Sequence, residues 1–205
     1  MRQIIHYLIF FIATNLFFMP QFSIAEEGES GAIAVVEKLH VALLNTMQNA
    51  ENLGYQGRYE ALAPVIQPRF DTPLIVKVIL GRYWKGLEEQ QQTRFADLFS
   101  RLSISTYAYR FDGYSGETFK TLGVEKLKKG RLLVKTEISS PDSKPVRLDY
   151  LMNSSEGQWY IISVIADGVN DLSLKRAEYK TVIKEKGFDS LVDDIENKIK
   201  NHANS

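Results

Sequence analysis

Gln158-Trp159-Tyr160-Ile161-Ile162-Ser163-Val164-Ile165-Ala166-Asp167-Gly168-Val169 is the stretch that decides how this chain folds. Most of its residues are aromatic or β-branched, the types that favour a pleated backbone. Read with a period of two, Trp159, Ile161 and Ile165 fall on one face and Tyr160, Ile162, Val164 and Ala166 on the other. A strand that is apolar on both faces has to be covered on both. The pattern predicts the central strand of a sheet, with helices or a ligand over its faces. Asp167-Gly168 ends it, and a charged segment with helical spacing runs from Leu172 to Lys186.

Upstream of that strand, three more segments read as strands: Glu117 to Leu122, Arg131 to Ile138 and Val146 to Asn153. Turns rich in Gly, Ser, Pro and Asp separate them, and such short connections imply antiparallel neighbours. Before Gly113 the period is helical. Ile33, Val36, Leu39, His40, Leu43 and Met47 recur at three- and four-residue steps, in a helix expected to stop near Gly54. Arg58 to Ile66 is a short helical piece that Pro64 is expected to kink or break. Asp71-Thr72-Pro73 carries a capping side chain and a first-turn proline, so it reads as a helix start. Leu74 to Leu80 is apolar enough to be buried all round. Glu88 to Tyr109 follows, with Phe95, Leu98, Phe99, Leu102 and Tyr109 along one side. Leu174 to Lys186 and Phe188 to Lys200 close the chain. The predicted class is α+β: one domain, residues 32–200, with helices packed on a roughly four-stranded antiparallel sheet enclosing an apolar cavity.

The first 25 residues read as an export signal. Arg2 gives the positive start, Ile4 to Met19 is apolar, and Ser23-Ile24-Ala25 offers small residues for cleavage after Ala25. That run is shorter than the about 20 residues a membrane span needs. The expected location is the periplasm, with Glu26 to Gly31 a disordered leader and residues 201–205 a frayed tail. Without Arg2, the balance of 25 basic and 25 acidic residues tips to one net negative charge. No basic field is available to hold nucleic acid. Cysteine is absent, which removes disulfides and thiolate metal sites.

Catalytic signatures are scarce. His40 is the one histidine expected inside the folded body, and a lone histidine on an amphipathic helix is more often a packing residue than a base. Zinc would need three or four ligands. Gly113-Tyr114-Ser115-Gly116 lacks the spacing of a nucleophile elbow and precedes a strand. Glu88-Glu89 and Asp193-Asp194 are helix neighbours pointing about 100° apart, so neither pair can flank one bond. Asp149 lies between Leu148 and Tyr150 in a strand and is expected in a salt bridge with Arg147 or a cross-strand base. Three readings stay open on the residues alone: a binding protein with an apolar cavity, a structural adaptor with a filled core, and an enzyme using Asp149 or Asp167 with a tyrosine. Lys126, Lys128, Lys129 and Arg131 crowd one hairpin tip. They read either as a solvated edge or as a docking surface for anionic headgroups or an acidic partner.

Several of these stretches together carry a family likeness. The strand from Trp159, the Asp167-Gly168-Val169 turn, Arg176 shortly before Tyr179, Gly81-Arg82-Tyr83-Trp84, Glu89-Gln90 with Phe95 and Phe99, Thr106-Tyr107-Ala108 and Tyr114-Ser115-Gly116-Glu117 resemble, in order and spacing, the periplasmic lipid-binding proteins of the MlaC type, also called toluene-tolerance auxiliary proteins. The likeness spans roughly residues 35–195. It departs at Asn170-Asp171-Leu172-Ser173-Leu174-Lys175-Arg176, and at Ser163 where an Asp is common. Both departures point to a divergent branch, such as the one associated with hopanoid lipids.

The resemblance implies a monomeric periplasmic carrier, not an enzyme, that shuttles phospholipid or a hopanoid-type lipid between outer and inner membranes and serves outer-membrane lipid asymmetry. Its implied partners are an inner-membrane ABC-type lipid transporter and an outer-membrane complex. It implies no cofactor beyond the bound lipid. On face and aromaticity, the candidate tail contacts are Ile79, Trp84, Phe95, Phe99, Leu102, Val134, Leu148, Tyr150, Tyr160 and Ile162. Arg176 is expected to pair with Asp167 or Asp171 and hold the strand-to-helix corner.

Overall fold

The computed structural model describes residues 24–204. The expected export signal falls outside them except for Ile24 and Ala25, which belong to the first helix. In chain order the elements are α1 (Ile24–Gln48), α2 (Ala50–Ile66), α3 (Thr72–Leu80), a 3-10 turn (Gly81–Gly86), α4 (Glu89–Arg110), β1 (Thr118–Lys126), β2 (Leu132–Ser139), β3 (Val146–Ser155), β4 (Gln158–Ala166), β5 (Val169–Asn170), α5 (Asp171–Lys186) and α6 (Phe188–Ala203). The expected α+β class holds. The sheet is an antiparallel meander in the order β1-β2-β3-β4-β5, one short strand longer than expected.

The stop and start signals explain the helix boundaries. Asp71 accepts a hydrogen bond from the Leu74 amide at 3.0 Å and Pro73 sits in the first turn, so α3 begins where its residues dictate. Gly81, at φ 55, ends it in a conformation that a β-carbon would strain. Of the apolar run, Ile75, Val76, Ile79 and Leu80 are buried, while Leu74 and Val78 are half-buried. Glu88 and Gln91 form a reciprocal capping box at the head of α4. Gly54 does not stop a helix as expected. It adopts φ 57 inside α2, a kink across which helical bonding resumes, and α1 has already ended at Gln48. Pro64 is accommodated within α2, which continues to Ile66.

Residues 28–31, expected to be disordered, are helical, and the cause is packing. A β-carbon on Gly31 would lie 3.1 Å from Trp159 Cδ1, so the bare backbone lets α1 close on the indole. Glu29 adds an ion pair to Lys126 at 2.9 Å. The tail expected to fray is likewise held: α6 runs to Ala203, and His202 Nδ1 lies 2.8 Å from Ser105 Oγ on α4. Tyr109, assigned to the buried side of α4, is 42 % exposed and stacks on His202.

β4 is not central. It is fourth of five, and its outer partner β5 pairs only at Ile165 and Ala166. At Ile161 the α2–α3 connection closes the outer edge instead: Ile161 N donates to Arg69 O at 2.8 Å, and Asp71 N donates to Ile161 O at 3.1 Å. The strand is nevertheless covered on both faces. Ile161 and Met152 enter a cluster with Val36, Leu39 and Leu43 of α1 and Leu62 and Ile66 of α2. Ile162 and half-buried Leu151 enter a second cluster with α3, α4, α5 and α6. The strict alternation expected along β4 breaks at Ile162, because Met152 pairs with Ile161 but Leu151 with Ser163. This bulge swaps the faces downstream, and Val164 joins the cluster of Ile161 and Trp159.

Candidate functional site

A narrow cleft opens where α3, α4, β4 and the start of α5 converge. Its apolar walls come from Ile75 and Ile79 of α3, Phe99 and Leu102 of α4, Ile162 of β4, and Phe70. These side chains face inward for the reason legible in their spacing: Phe99 and Leu102 lie on the apolar stripe of α4, and Ile75 and Ile79 are one helical turn apart. Tyr107 also lines the cleft and meets Phe70 edge-on, ring centroids 5.9 Å apart. Burial, with the nearby Tyr150 and Asp171, pushes the Tyr107 phenol well above its ordinary range.

The polar groups of the cleft are nearly all engaged. Ser103 Oγ donates to Phe99 O at 3.0 Å, and Thr106 Oγ1 donates to Leu102 O at 2.7 Å, so both hydroxyls turn back onto their own helix. Ser163 Oγ donates to Asp171 Oδ1 at 2.9 Å, and the Val164 amide donates to the same oxygen at 3.0 Å. These bonds fix the corner between β4 and α5. Asp171 Oδ2 lies 3.6 Å from Lys175 Nζ at the rim. The expected corner pair with Arg176 is not what holds the turn. One turn of helix sets Lys175, not Arg176, over Asp171, and the Arg176 guanidinium lies beside Gly81. Asp167 instead accepts from the Arg147 amide at 2.9 Å.

Four of the ten candidate tail contacts, Ile79, Phe99, Leu102 and Ile162, meet in this cleft. Phe95 is buried in the same cluster but packs against Tyr179 and Phe188, and Trp84 is half-buried at its margin. Val134, Leu148 and Tyr150 belong to the other cluster, on the opposite face of the sheet. Tyr160 is half-buried and donates to Gln158 Oε1 at 3.0 Å. The candidates do not include Phe70, Ile75, Tyr107, Val164 and Leu172 of the apolar wall, nor the polar lining residues Ser103, Thr106, Ser163, Asp171 and Lys175. Ser103 and Thr106 carry only the signal of lying one helical position from Leu102 or one turn from it, and the others carry none.

The cleft has a volume of about 60 Å³, room for a few waters and far below the roughly 300–1,000 Å³ of ligand pockets. A second, open trough of about 300 Å³ lies between Trp159, Gly28 and the β1–β2 tip, and Lys126 and Arg131 line it. Lys128 and Lys129 form the 3-10 turn of that tip, with Lys129 at φ 63.

The residues weighed for an enzyme reading are engaged in the framework. Asp149 Oδ1 accepts from Arg147 Nη2 at 2.8 Å and from the Thr136 amide at 3.2 Å, the expected structural salt bridge. His40 is buried against Tyr150 and Phe119, and burial lowers its pKa to about 4. Among the described residues no group of three or more His, Cys, Asp or Glu could hold a metal ion. Nor is any described helix long and apolar enough to cross a membrane.

A family model described as MlaC protein matches residues 37–197. The chain is also similar to the phospholipid-binding protein from Ralstonia solanacearum, whose structure was determined in complex with a phospholipid. The TM-score is 0.73 at 21 % identity, over 84 % of this chain and 98 % of that one. At that identity the likeness speaks for the fold.

Proposed function

Because this chain belongs to the MlaC protein family, we propose that it is a periplasmic lipid carrier that holds an acyl chain in the cleft between α3, α4 and β4 and moves phospholipid, or a hopanoid-type lipid, between the outer and inner membranes. The observation that carries the reading is the cleft itself: Ile75, Ile79, Phe99, Leu102 and Ile162 converge on it without a catalytic pair, beside the charged Asp171 and Lys175. Each methylene moved from water into such a place contributes roughly 0.8 kcal/mol. A tail of ordinary length therefore supplies several kcal/mol toward parting packed helices. The solved phospholipid complex of a protein with the same fold supports the same reading.

Export with cleavage after Ala25 is part of this proposal, as are docking to an inner-membrane transporter and an outer-membrane complex through Lys126, Lys128, Lys129 and Arg131. The chain acts as a monomer, without a cofactor or a chemical step.

The small cleft volume favours a second reading, an adaptor whose core is already filled. Native mass spectrometry of the protein isolated from the periplasm separates the two. Co-purifying lipid, or uptake from vesicles, supports the carrier. Bare protein that also takes up no lipid from vesicles supports the adaptor.

A further inference from the structure

We propose that Lys175 is a specificity-determining residue of the cleft, which recognises the anionic head of an amphiphile whose tail lies between α3 and α4. The inference rests on the carrier reading above and adds to it a ligand class: an acyl tail ending in an anionic oxygen, preferred over a neutral head on the same tail.

Asp171 and Lys175 are the charged residues that line the cleft. Asp171 Oδ1 already accepts from Ser163 Oγ at 2.9 Å and from the Val164 amide at 3.0 Å, so the carboxylate is anchored to the wall. Lys175 is differently placed. Its Nζ stands 3.6 Å from Asp171 Oδ2, attracted but beyond hydrogen-bond length. Its side chain is 28 % exposed, and a lysine so placed can keep its stem on apolar surface while its ammonium meets water. Ser103 and Thr106, across the cleft, spend their hydroxyls on Phe99 O and Leu102 O. An anionic oxygen arriving at the mouth therefore finds one flexible ammonium with donors to offer. The charge-assisted bonds it forms are shorter and stronger than the 3.6 Å pair they replace. Repulsion from the anchored Asp171 carboxylate keeps the preference modest.

The shared chemistry is the anionic oxygen, which a lipid phosphate or a fatty-acid carboxylate can supply. Titration calorimetry of the mature protein with 1-oleoyl lysophosphatidylglycerol, oleate and monoolein distinguishes them, since all three carry one tail. Wild type is expected to bind the phosphate-headed probe about tenfold tighter than monoolein. That ratio falls toward one in Lys175→Gln, is kept in Lys175→Arg, and shrinks with added salt. Lys175→Met, which retains the stem, serves if Lys175→Gln melts early. Oleate matching the phosphate probe shows that the rim reads charge; oleate matching monoolein shows that it reads phosphate. A ratio near one in wild type, or an unchanged ratio in the charge-free variants, overturns the inference and leaves the carrier reading standing. Failure of all three probes to bind wild type overturns both.

Discussion

His40 Nε2 and the Tyr150 hydroxyl stand 3.0 Å apart inside the cluster under α1, with Phe119 stacked on the imidazole at 4.0 Å between ring centroids. The pair satisfies two polar groups that the fold cannot expose. It also makes the core sensitive to acid. Burial lowers the His40 pKa from 6.5 to about 4, so the unfolded chain takes up a proton at a higher pH than the folded one. The contribution of neutral His40 to stability is present above pH 6.5 and is lost as pH falls toward about 4. The loss is on the order of 3 kcal/mol. Urea titrations across that window should show a shallower decline for His40→Gln than for wild type. Parallel declines would refute this account of the histidine.

Asp171 ties α5 to β4 through the Val164 amide and Ser163 Oγ. Asp171→Ala strands a backbone donor in a part-buried corner and is expected to cost about 1–3 kcal/mol. Asp171→Asn, which keeps an acceptor, should cost less. Equal melting temperatures for the alanine variant and wild type would rule this out.

Leu102 is 1 % exposed and lines the cleft. Leu102→Ala should destabilise the fold by about 2–5 kcal/mol while enlarging the space beside Ile79 and Phe99. On the carrier reading the same variant takes up a single-chain lipid from vesicles at least as well as wild type, once folded. Lost stability with abolished uptake in a protein of native circular dichroism would speak against the cleft as the tail site.

Gly31 faces Trp159 so closely that a β-carbon there would meet Cδ1 at 3.1 Å. Gly31→Val should push the start of α1 off the sheet, cost about 1–3 kcal/mol and shift Trp159 emission to the red. Trp84→Phe as background isolates the signal. An unshifted spectrum would mean that α1 does not cover the indole.

Much of this architecture is legible in the chain because local and global signals agree. Asp71 with Pro73 starts α3, the apolar stripe of α4 faces the core, and strands joined by short turns can only pair as a meander. What escaped reading depends on contacts between distant segments. The bulge at Ile162 moves Val164 to the other face, and no period-two pattern announces it. The ordering of residues 28–31 comes from a tryptophan more than a hundred positions away. His202, dismissed with the tail, is held by Ser105, which itself accepts from the Tyr55 hydroxyl at 2.9 Å. At the site, periodicity brings Ile79, Phe99, Leu102 and Ile162 to the cleft but does not point to Phe70, Ile75 or Tyr107, and it spreads the remaining candidates over two clusters that the sheet separates. Lys175 is not legible in the sequence because one cation in a charged helix carries no mark without Asp171 and the cleft beside it.

On the carrier reading, the clamp on Ile161 decides how the molecule admits a lipid tail. Arg69 and Asp71 grip that residue from both of its backbone groups, so the root of α3 is stitched to the strand, while its tip ends at Gly81 in a glycine conformation. Any parting of Ile79 from Leu102 must then resemble a door on a fixed hinge, widest near Gly81 and shut at Asp71. The stitch lets the molecule yield there without unzipping its sheet.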